Sequence, residues 1–448
     1  MGKAVIKEVV NSNYCGIVCT IEHLVDLPNC DNLRHAIIFG NKVIVTKDVE
    51  AGTKGIFFPV GTQMDNAFLF KNNMYSKAEM NEDTNVKGYF GKNGLVRCVK
   101  LRGNESEGLF VGMETIKWFM RPEDEELEIG VQFDNINGHE ICRKYVVKHQ
   151  QSSNGFRESK SNRKLKRISR LVDNQFRFHI DTQMLYRNLS KIHRDDLISV
   201  TYKIHGTSGI SSYILCNRTN LSWFEKLQKK LFNKTFVDYD YVYASRKVVK
   251  NEFAYEDRER HDFYGENIWE IANEELKPFL KKGMTFYYEI AGYLKDGGCI
   301  QKGYPYGCQP NEHKIYIYRI TYTNVDGQVF EFSMKQVQDF CKEYGLNAVP
   351  LLFYGTAEQY IDKHYPDHIG GVCHDMTEIE FEEAFLQFLK DDYNEKDCYI
   401  CQNGEPEEGC VVRKEINGIE SYKVKSTRFY EKETKELEAG ESNIEDEN

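Results

Sequence analysis

No stretch of this sequence approaches the ~20 consecutive apolar residues that span a bilayer. Met1-Gly2-Lys3-Ala4-Val5-Ile6 lacks the apolar core of a secretory signal, and Ile6 stands where a myristoylation site wants Ser or Thr. Positive charge is short as well: 59 Lys and Arg face 69 Asp and Glu, a formal net charge of −10. That excludes a global basic field for nucleic acid, so any polyanion site has to be a local basic patch. The 13 cysteines follow no regular framework. Without a secretory signal they are expected to stay reduced, in the cytoplasm or another intracellular compartment. Cys398-Tyr399-Ile400-Cys401 is the sole CxxC. With no second pair at zinc-finger spacing, core thiols are the expected reading and a metal site the alternative.

What is present suits ordinary cores. Of 448 residues, 41% are apolar and 13% aromatic, enough for about two or three domains. Residues 1–146 read as short strands punctuated by glycine: Val43-Ile44-Val45 after Gly40, Ile56-Phe57-Phe58 after Gly55, the alternating run Gly94–Gly103, and Leu109-Phe110-Val111 between Gly108 and Gly112. Even strand spacing of this kind suggests a small OB-like β-barrel. Arg97, Lys100 and Arg102 cluster in it and could track a phosphate backbone; packing or partner docking is the plainer alternative. Residues 147–166 carry few apolar side chains and several lysines and arginines, and read as a basic linker.

From residue 167 to 430, strands and helices are interspersed without a βαβ cadence, which points to an α+β domain. A helix is expected between Thr182 and Leu197. Ser333 and Gln336 have the form of a capping box, opening a helix that Gly345 closes, and Thr377 and Glu380 repeat the pattern for a helix to about Lys390. Residues 431–448 are acidic and apolar-poor, and are expected to be a disordered tail.

The most informative stretch is Thr201-Tyr202-Lys203-Ile204-His205-Gly206-Thr207-Ser208. Leu197–Tyr202 nearly alternates, so a half-buried strand is predicted, with Ile198, Val200, Tyr202 and Ile204 on one face. Thr201, Lys203 and His205 share the other. Alone, Lys203 fits an exposed edge-strand lysine as well as a nucleotide pocket. Four later segments supply candidate partners. Arg246 follows a strand-like run and suits phosphate or ribose oxygens, or a solvent-facing strand end. Glu289 is a lone carboxylate in the aromatic strand Thr285–Tyr293, which calls for a protein cation or a ligand hydroxyl. Tyr316 and Tyr318 are core, or a stacking platform for a purine. Glu408 precedes Gly409-Cys410-Val411-Val412-Arg413, and after a Gly418 turn Lys423 and Lys425 project the same way from one strand. Two such lysines form a wet face unless a triphosphate lies opposite, whose divalent ion Glu408 could ligate.

Taken in order, Lys-x-His-Gly, Ser-Arg, aromatic-Glu-x-x-Gly, Tyr-Arg-Ile, Glu-Gly-x-Val-Val-Arg and Lys-x-Lys resemble the signature of the covalent nucleotidyltransferases, which include DNA ligases, RNA ligases and mRNA capping enzymes. Histidine in the first motif is similar to RNA ligases. An OB-like module at the amino end, with Asn174-Gln175-Phe176-Arg177-Phe178-His179 ahead of the lysine, resembles the fifth class of ATP-dependent RNA ligases. The resemblance spans roughly residues 15–430. It implies a nucleotidyltransferase domain of antiparallel sheets flanked by helices, with Lys203 as the nucleophile that takes AMP. It places Tyr202, Ile204, His205, Gly206, Arg246, Glu289 and Tyr318 around the nucleotide, Glu408 at a Mg2+ or Mn2+ ion, and Lys423 and Lys425 on the phosphates. Arg177, with Arg97, Lys100 and Arg102, is implied on the RNA. Arg319 stands where many ligases have aspartate, which leaves Tyr316 as a second stacking candidate, and Cys410 replaces a valine or isoleucine. The implied partners are ATP and nicked or broken RNA, with the chain a monomer that touches no membrane. Rival readings are another polynucleotide ligase, a GTP-using capping enzyme, whose OB domain would follow the catalytic one, and a nucleic-acid-binding protein with a decayed ligase domain.

The chemistry asks for these residue types. An amine attacks phosphorus only when neutral, and at an ordinary pKa of ~10.4 roughly one lysine in a few thousand is neutral at pH 7. Neighbouring cations raise that fraction and stabilise the departing pyrophosphate.

Overall fold

The computed structural model describes residues 3–27, 30–147, 170–251, 266–368, 370–415 and 420–440. Nearly all of the expected linker at 147–166, the Gly418 turn and the tail beyond residue 440 lie outside them.

In the first module the glycine-bounded runs do become strands. Gln132–Phe133, Gly16–Thr20, Lys54–Phe58 and Leu109–Gly112 lie side by side in that order as one antiparallel sheet. Its two faces feed two cores, as a period of two requires. Val18, Ile56 and Phe58 join Phe68, Phe119 and Phe133 on one side. Ile17, Cys19 and Phe57 face the other, where the sheet His23–Asp26, Leu33–Ile38, Asn41–Thr46 adds Ala36, Ile38, Val43 and Val45. Cys98–Leu101 and Asn104–Glu107 form a separate hairpin. Among the described residues these sheets do not close into a barrel, so the expected closure is not found.

The second module holds the longer elements. In chain order they are β1 (Gln183–Met184), β2 (Leu197–Tyr202), β3 (Thr207–Asn217), α1 (Trp223–Phe232), β4 (Val237–Ser245), α2 (Ile268–Leu276), β5 (Met284–Gly292), β6 (His313–Thr323), β7 (Val329–Glu331), α3 (Met334–Tyr344), β8 (Asn347–Ala348), β9 (Leu351–Thr356), α4 (Ala357–Asp362), α5 (Glu378–Tyr393), β10 (Gly409–Lys414), β11 (Ser421–Lys425) and α6 (Thr427–Glu438). One sheet runs β1-β11-β10-β2-β9 and the other β4-β3-β5-β6-β7, with β8 added beside β6. The pairings are antiparallel except β1 with β11 and β6 with β8. This is an α+β architecture of antiparallel sheets flanked by helices. Helix α5 covers one face of the first sheet, where Phe381, Phe385 and Leu389 meet Ile198, Val200, Val412 and Tyr422. Helices α2 and α3 pack on the second sheet through Trp269, Ala272, Val337 and Phe340.

The capping boxes form as read: Ser333 with Gln336 opens α3, Gly345 closes it at φ +68°, and Thr377 with Glu380 opens α5, which runs on to Tyr393. Two expectations fail. The helix expected between Thr182 and Leu197 is two short 3-10 turns, Leu185–Arg187 and Leu189–Lys191. Asn188 breaks it, its amide donating to Met184 O, while Arg187 donates to Ser12 O and Cys15 O across the seam between modules. The tail expected to be disordered from Glu431 is helical as far as Glu438. Ser426 caps it, and Phe429 and Thr434 are buried beneath it. Among the described residues no helix is long and apolar enough to cross a membrane.

Candidate active site

Strand register assembles the site. In the first sheet β2 lies between β9 and β10, and β10 pairs with β11. Tyr202 lies opposite Cys410, the amide of Lys203 donates to Gly409 O at 3.0 Å, and Gly409 lies opposite Lys425. Three neighbouring strand ends therefore bring Lys203, Glu408, Lys423 and Lys425 to one cleft. Gly409 makes the approach possible. Its φ is +132°, and an added Cβ would lie 2.0 Å from Val424 O.

Lys203 Nζ stands 2.7 Å from Glu408 Oε1. The carboxylate is buried, and its Oε2 lies 3.7 Å from His205 Nδ1. An ionised carboxylate is rarely buried without a cation, and Lys203 meets that need. Lys425 donates to both carboxylate oxygens of Glu433 at 3.1 Å, so α6 supplies a counter-charge inside the cleft.

The second sheet forms the other wall, with Glu289 on β5 and Tyr318 on β6. Tyr287 pairs with Arg319 and Tyr288 with Ile317, so the register slips at Tyr318. Such a bulge re-aims a side chain, a device common beside active sites. It turns Tyr318 and Arg319 into the cleft. Tyr316, the alternative stacking residue, is instead packed against Tyr306 in the core. The Tyr318 hydroxyl is 3.2 Å from His179 Nδ1 and 3.4 Å from Ser208 Oγ. Burial, with Glu289 nearby, pushes it far above the usual tyrosine range, so it stays neutral. Arg246, just past β4, lines the cleft and is held by Asp181 at 2.7 Å. Burial opposes the Asp181 charge, but Arg246, Lys247 and His179 more than offset it and hold the carboxyl below its ordinary value.

Nine of the residues expected at the nucleotide therefore line one cleft: Tyr202, Lys203, Ile204, Arg246, Glu289, Tyr318, Glu408, Lys423 and Lys425. Two do not. His205 packs edge-on between Tyr304 and Phe429, at 4.9 Å from each ring centroid, and its amide donates to Tyr306 Oη at 2.7 Å. The alternation placing it beside Lys203 ends with β2, one residue before the lysine. Gly206 lies where a Cβ would come within 2.5 Å of Ile290 O, so it serves the joint between the two sheets.

Three of the four residues expected on RNA are also engaged within the protein. Arg97 pairs with Glu438 at 2.9 Å and Lys100 with Glu431 at 2.9 Å, both on α6. Arg177 donates to the carbonyls of Asn174 and Gly327. Arg102 is exposed, in a turn at φ +51°. Unforeseen cleft residues include His179, Asp181 and Ser208, together with Asn13, Tyr14 and Lys144 of the first module. Asn13 ties the modules together, its side chain bonding Thr182 O and the amide of Met184.

A divalent ion suits the donor set in one way. Glu408 Oε2 is buried without a hydrogen-bond partner, yet among the described residues no three His, Cys, Asp or Glu side chains are grouped to hold a metal. That fits an ion that arrives with nucleotide phosphates and takes one carboxylate from the protein.

This cleft, between two antiparallel sheets with a lysine on one and a carboxylate and a tyrosine on the other, is a nucleotidyl-transfer architecture. The RNA ligase family model matches residues 196–425, just over half of the chain, and the chain belongs to that family. Solved structures share the fold. RNA ligase of Naegleria gruberi with PPi is 15% identical at a TM-score of 0.53, over 95% of this chain and 100% of that one. A mutant of it with ATP and Mn is 15% identical at 0.52, over 94% and 99%. Another, with AMP and Mn, is 14% identical at 0.52, over 93% and 98%. No curated protein matches the sequence.

Proposed function

We propose that the protein is an ATP-dependent RNA ligase that joins 3′-hydroxyl and 5′-phosphate ends, with nicks in duplex RNA as its substrate. The observation that carries this is the single cleft in which Lys203 faces Glu289, Glu408, Lys423 and Lys425. ATP binding and a divalent ion are supported by the Naegleria gruberi ligase, solved with ATP and Mn. In the first step Lys203 Nζ attacks the α-phosphorus, an N–P bond forms, the α–β bridging bond breaks and pyrophosphate leaves. Next an RNA 5′-phosphate oxygen displaces the lysine and takes the AMP. Finally a 3′-hydroxyl attacks that 5′-phosphorus and AMP is released.

Each residue has a role in this reading. Glu408 orients the amine through its ion pair. Lys423 and Lys425 hold the phosphates and stabilise charge on the leaving pyrophosphate. Glu289 accepts from ribose, Arg246 from its seat on Asp181 holds phosphate or ribose oxygens, and Tyr318 stacks on adenine. Glu408 would also hold a bound Mg2+ or Mn2+, which would supply further charge neutralisation to the phosphates. The first module, residues 1–146, acts as an OB-like unit that grips RNA, residues 147–166 link it to the catalytic unit at 167–430, and the protein works as a monomer.

Incubation with ATP labelled in the α-phosphate, and separately with each other nucleoside triphosphate, tests the reading. Acid-stable label on the wild type with ATP, and none on Lys203→Ala, is the expected result. Label retained by Lys203→Ala, or label from GTP alone, overturns it. Deletion of the first module is expected to reduce nick sealing more than self-adenylylation; equal loss of both counts against its role on RNA.

A further inference from the structure

Helix α1 is unlike the other long helices because none of its residues is buried. It rises from the far end of the β3–β4 hairpin, and its ten residues are fixed by a capping box between Ser222 and Glu225. Helices this short are marginal in water and usually draw stability from a buried face. This one has an apolar face that no described residue buries. Trp223 is 78% exposed, Leu231 63%, Phe224 56% and Leu227 40%. At about 100° per residue these four fall within a single arc of about 100°, and Lys226, Lys229 and Lys230 occupy the adjoining one.

The charge is as uneven as the hydrophobicity. Arg218 pairs with Glu225 at 2.9 Å, which leaves Lys226, Lys229 and Lys230 without a second acid on the same helix, and Lys234 follows just past its end, in a chain of net charge −10. Of the acids at the start of β4, Asp240 is held by Arg170 and Asp238 accepts from the amide of Tyr239. A stripe of Trp, Phe and Leu bordered on one side by lysines, with Phe232 exposed on the other side, matches a bilayer interface with anionic headgroups, where rings and aliphatic chains enter the acyl boundary and lysines meet phosphates. Duplex RNA offers phosphates but no apolar layer to take Leu227 and Leu231, so nucleic acid explains only half of the pattern.

We propose that α1 is a reversible anchor that lies in the surface of an anionic phospholipid membrane. Strand β3 has 11 residues from Thr207 to Asn217. It therefore holds the helix roughly 30 Å from the cleft at its opposite end, at about 3.3 Å per residue. The anchored protein keeps its nucleotide site open to the solvent.

Co-sedimentation of the full chain with vesicles tests this, using phosphatidylcholine alone and phosphatidylcholine with about 30% phosphatidylserine. Trp223→Ser with Leu231→Ser removes the stripe, and Lys229→Glu with Lys230→Glu reverses the charge. All four positions are exposed and lie outside the capping box and the cleft, so folding and self-adenylylation should be unchanged. The expected result is at least about tenfold more wild type on anionic than on neutral vesicles, lost in both variants and weakened by salt. Three results overturn the proposal: wild type that stays in the supernatant, variants that sediment like wild type, or a stripe variant that instead loses single-stranded RNA binding or concentration-dependent self-association.

Discussion

Lys203 Nζ and Glu408 Oε1 lie 2.7 Å apart, joined across neighbouring strands β2 and β10. Glu408 thus touches the proposed nucleophile itself, a closer role than ligand to an ion alone. Replacing it removes an acid partner of a half-buried amine. Glu408→Gln is expected to slow lysyl-AMP formation by about 100-fold, the scale of losing one preorganised electrostatic contact. Single-turnover labelling with α-labelled ATP measures it, and a change under threefold sinks the assignment.

The bulge at Tyr318 separates two tyrosines that look equivalent in sequence. Tyr318→Ala is expected to raise KM for ATP by about tenfold, as loss of a stacking partner would. Tyr316→Ala should leave KM alone and lower Tm, because that ring is part of the core. Steady-state adenylylation and thermal melts read both, and the reverse pattern would exchange their roles.

Arg97 and Lys100 face α6 acids, not solvent alone. Arg97→Ala should therefore change RNA affinity by less than about twofold and cost at most about 1 kcal/mol of stability, the range of an exposed pair. A filter-binding series at fixed salt decides. A clear drop in affinity, with a smaller salt slope, would return Arg97 to the RNA surface.

Asp392 accepts from Tyr360 Oη at 2.9 Å, Lys363 Nζ at 2.7 Å and His364 Nε2 at 3.0 Å. Burial raises its pKa, and these partners more than offset that and lower it below 3.8. A depressed carboxyl contributes stability above its unfolded value and loses it as pH falls through the folded one. Asp392→Asn should therefore cost about 1 kcal/mol at pH 7 and almost nothing in strong acid. Chemical denaturation across that range measures the difference; a cost independent of pH would mean that the ion pairs contribute nothing.

Much of this site was legible because local signals carried it. Ser333 and Thr377 announced helix starts, and Lys423 and Lys425 announced a shared strand face. The failures came where distant parts of the chain decide. The slip at Tyr318 depends on which β5 residue lies opposite, which no period within β6 reveals. Alternation sets His205 on the face of Lys203, but its strand ends at Tyr202, and Tyr304 and Phe429, far along the chain, hold its ring. Asp181 is one acid in a polar run until Arg246 finds it. Glu433 looked like part of an unstructured acidic stretch because its partner, Lys425, was counted as a phosphate ligand only.

Helix α6 also bears on how the molecule is made. Its Glu438 meets Arg97, and its Thr434 hydroxyl takes the Cys98 amide at 3.2 Å. These contacts close loops of more than three hundred residues. During synthesis the hairpin at Cys98 is finished early, but its seat does not exist until the ribosome has passed Glu438. A nascent chain can thus complete the inner layers of its first module while the flank that α6 covers waits, open to chaperones, for β11 and α6 to arrive.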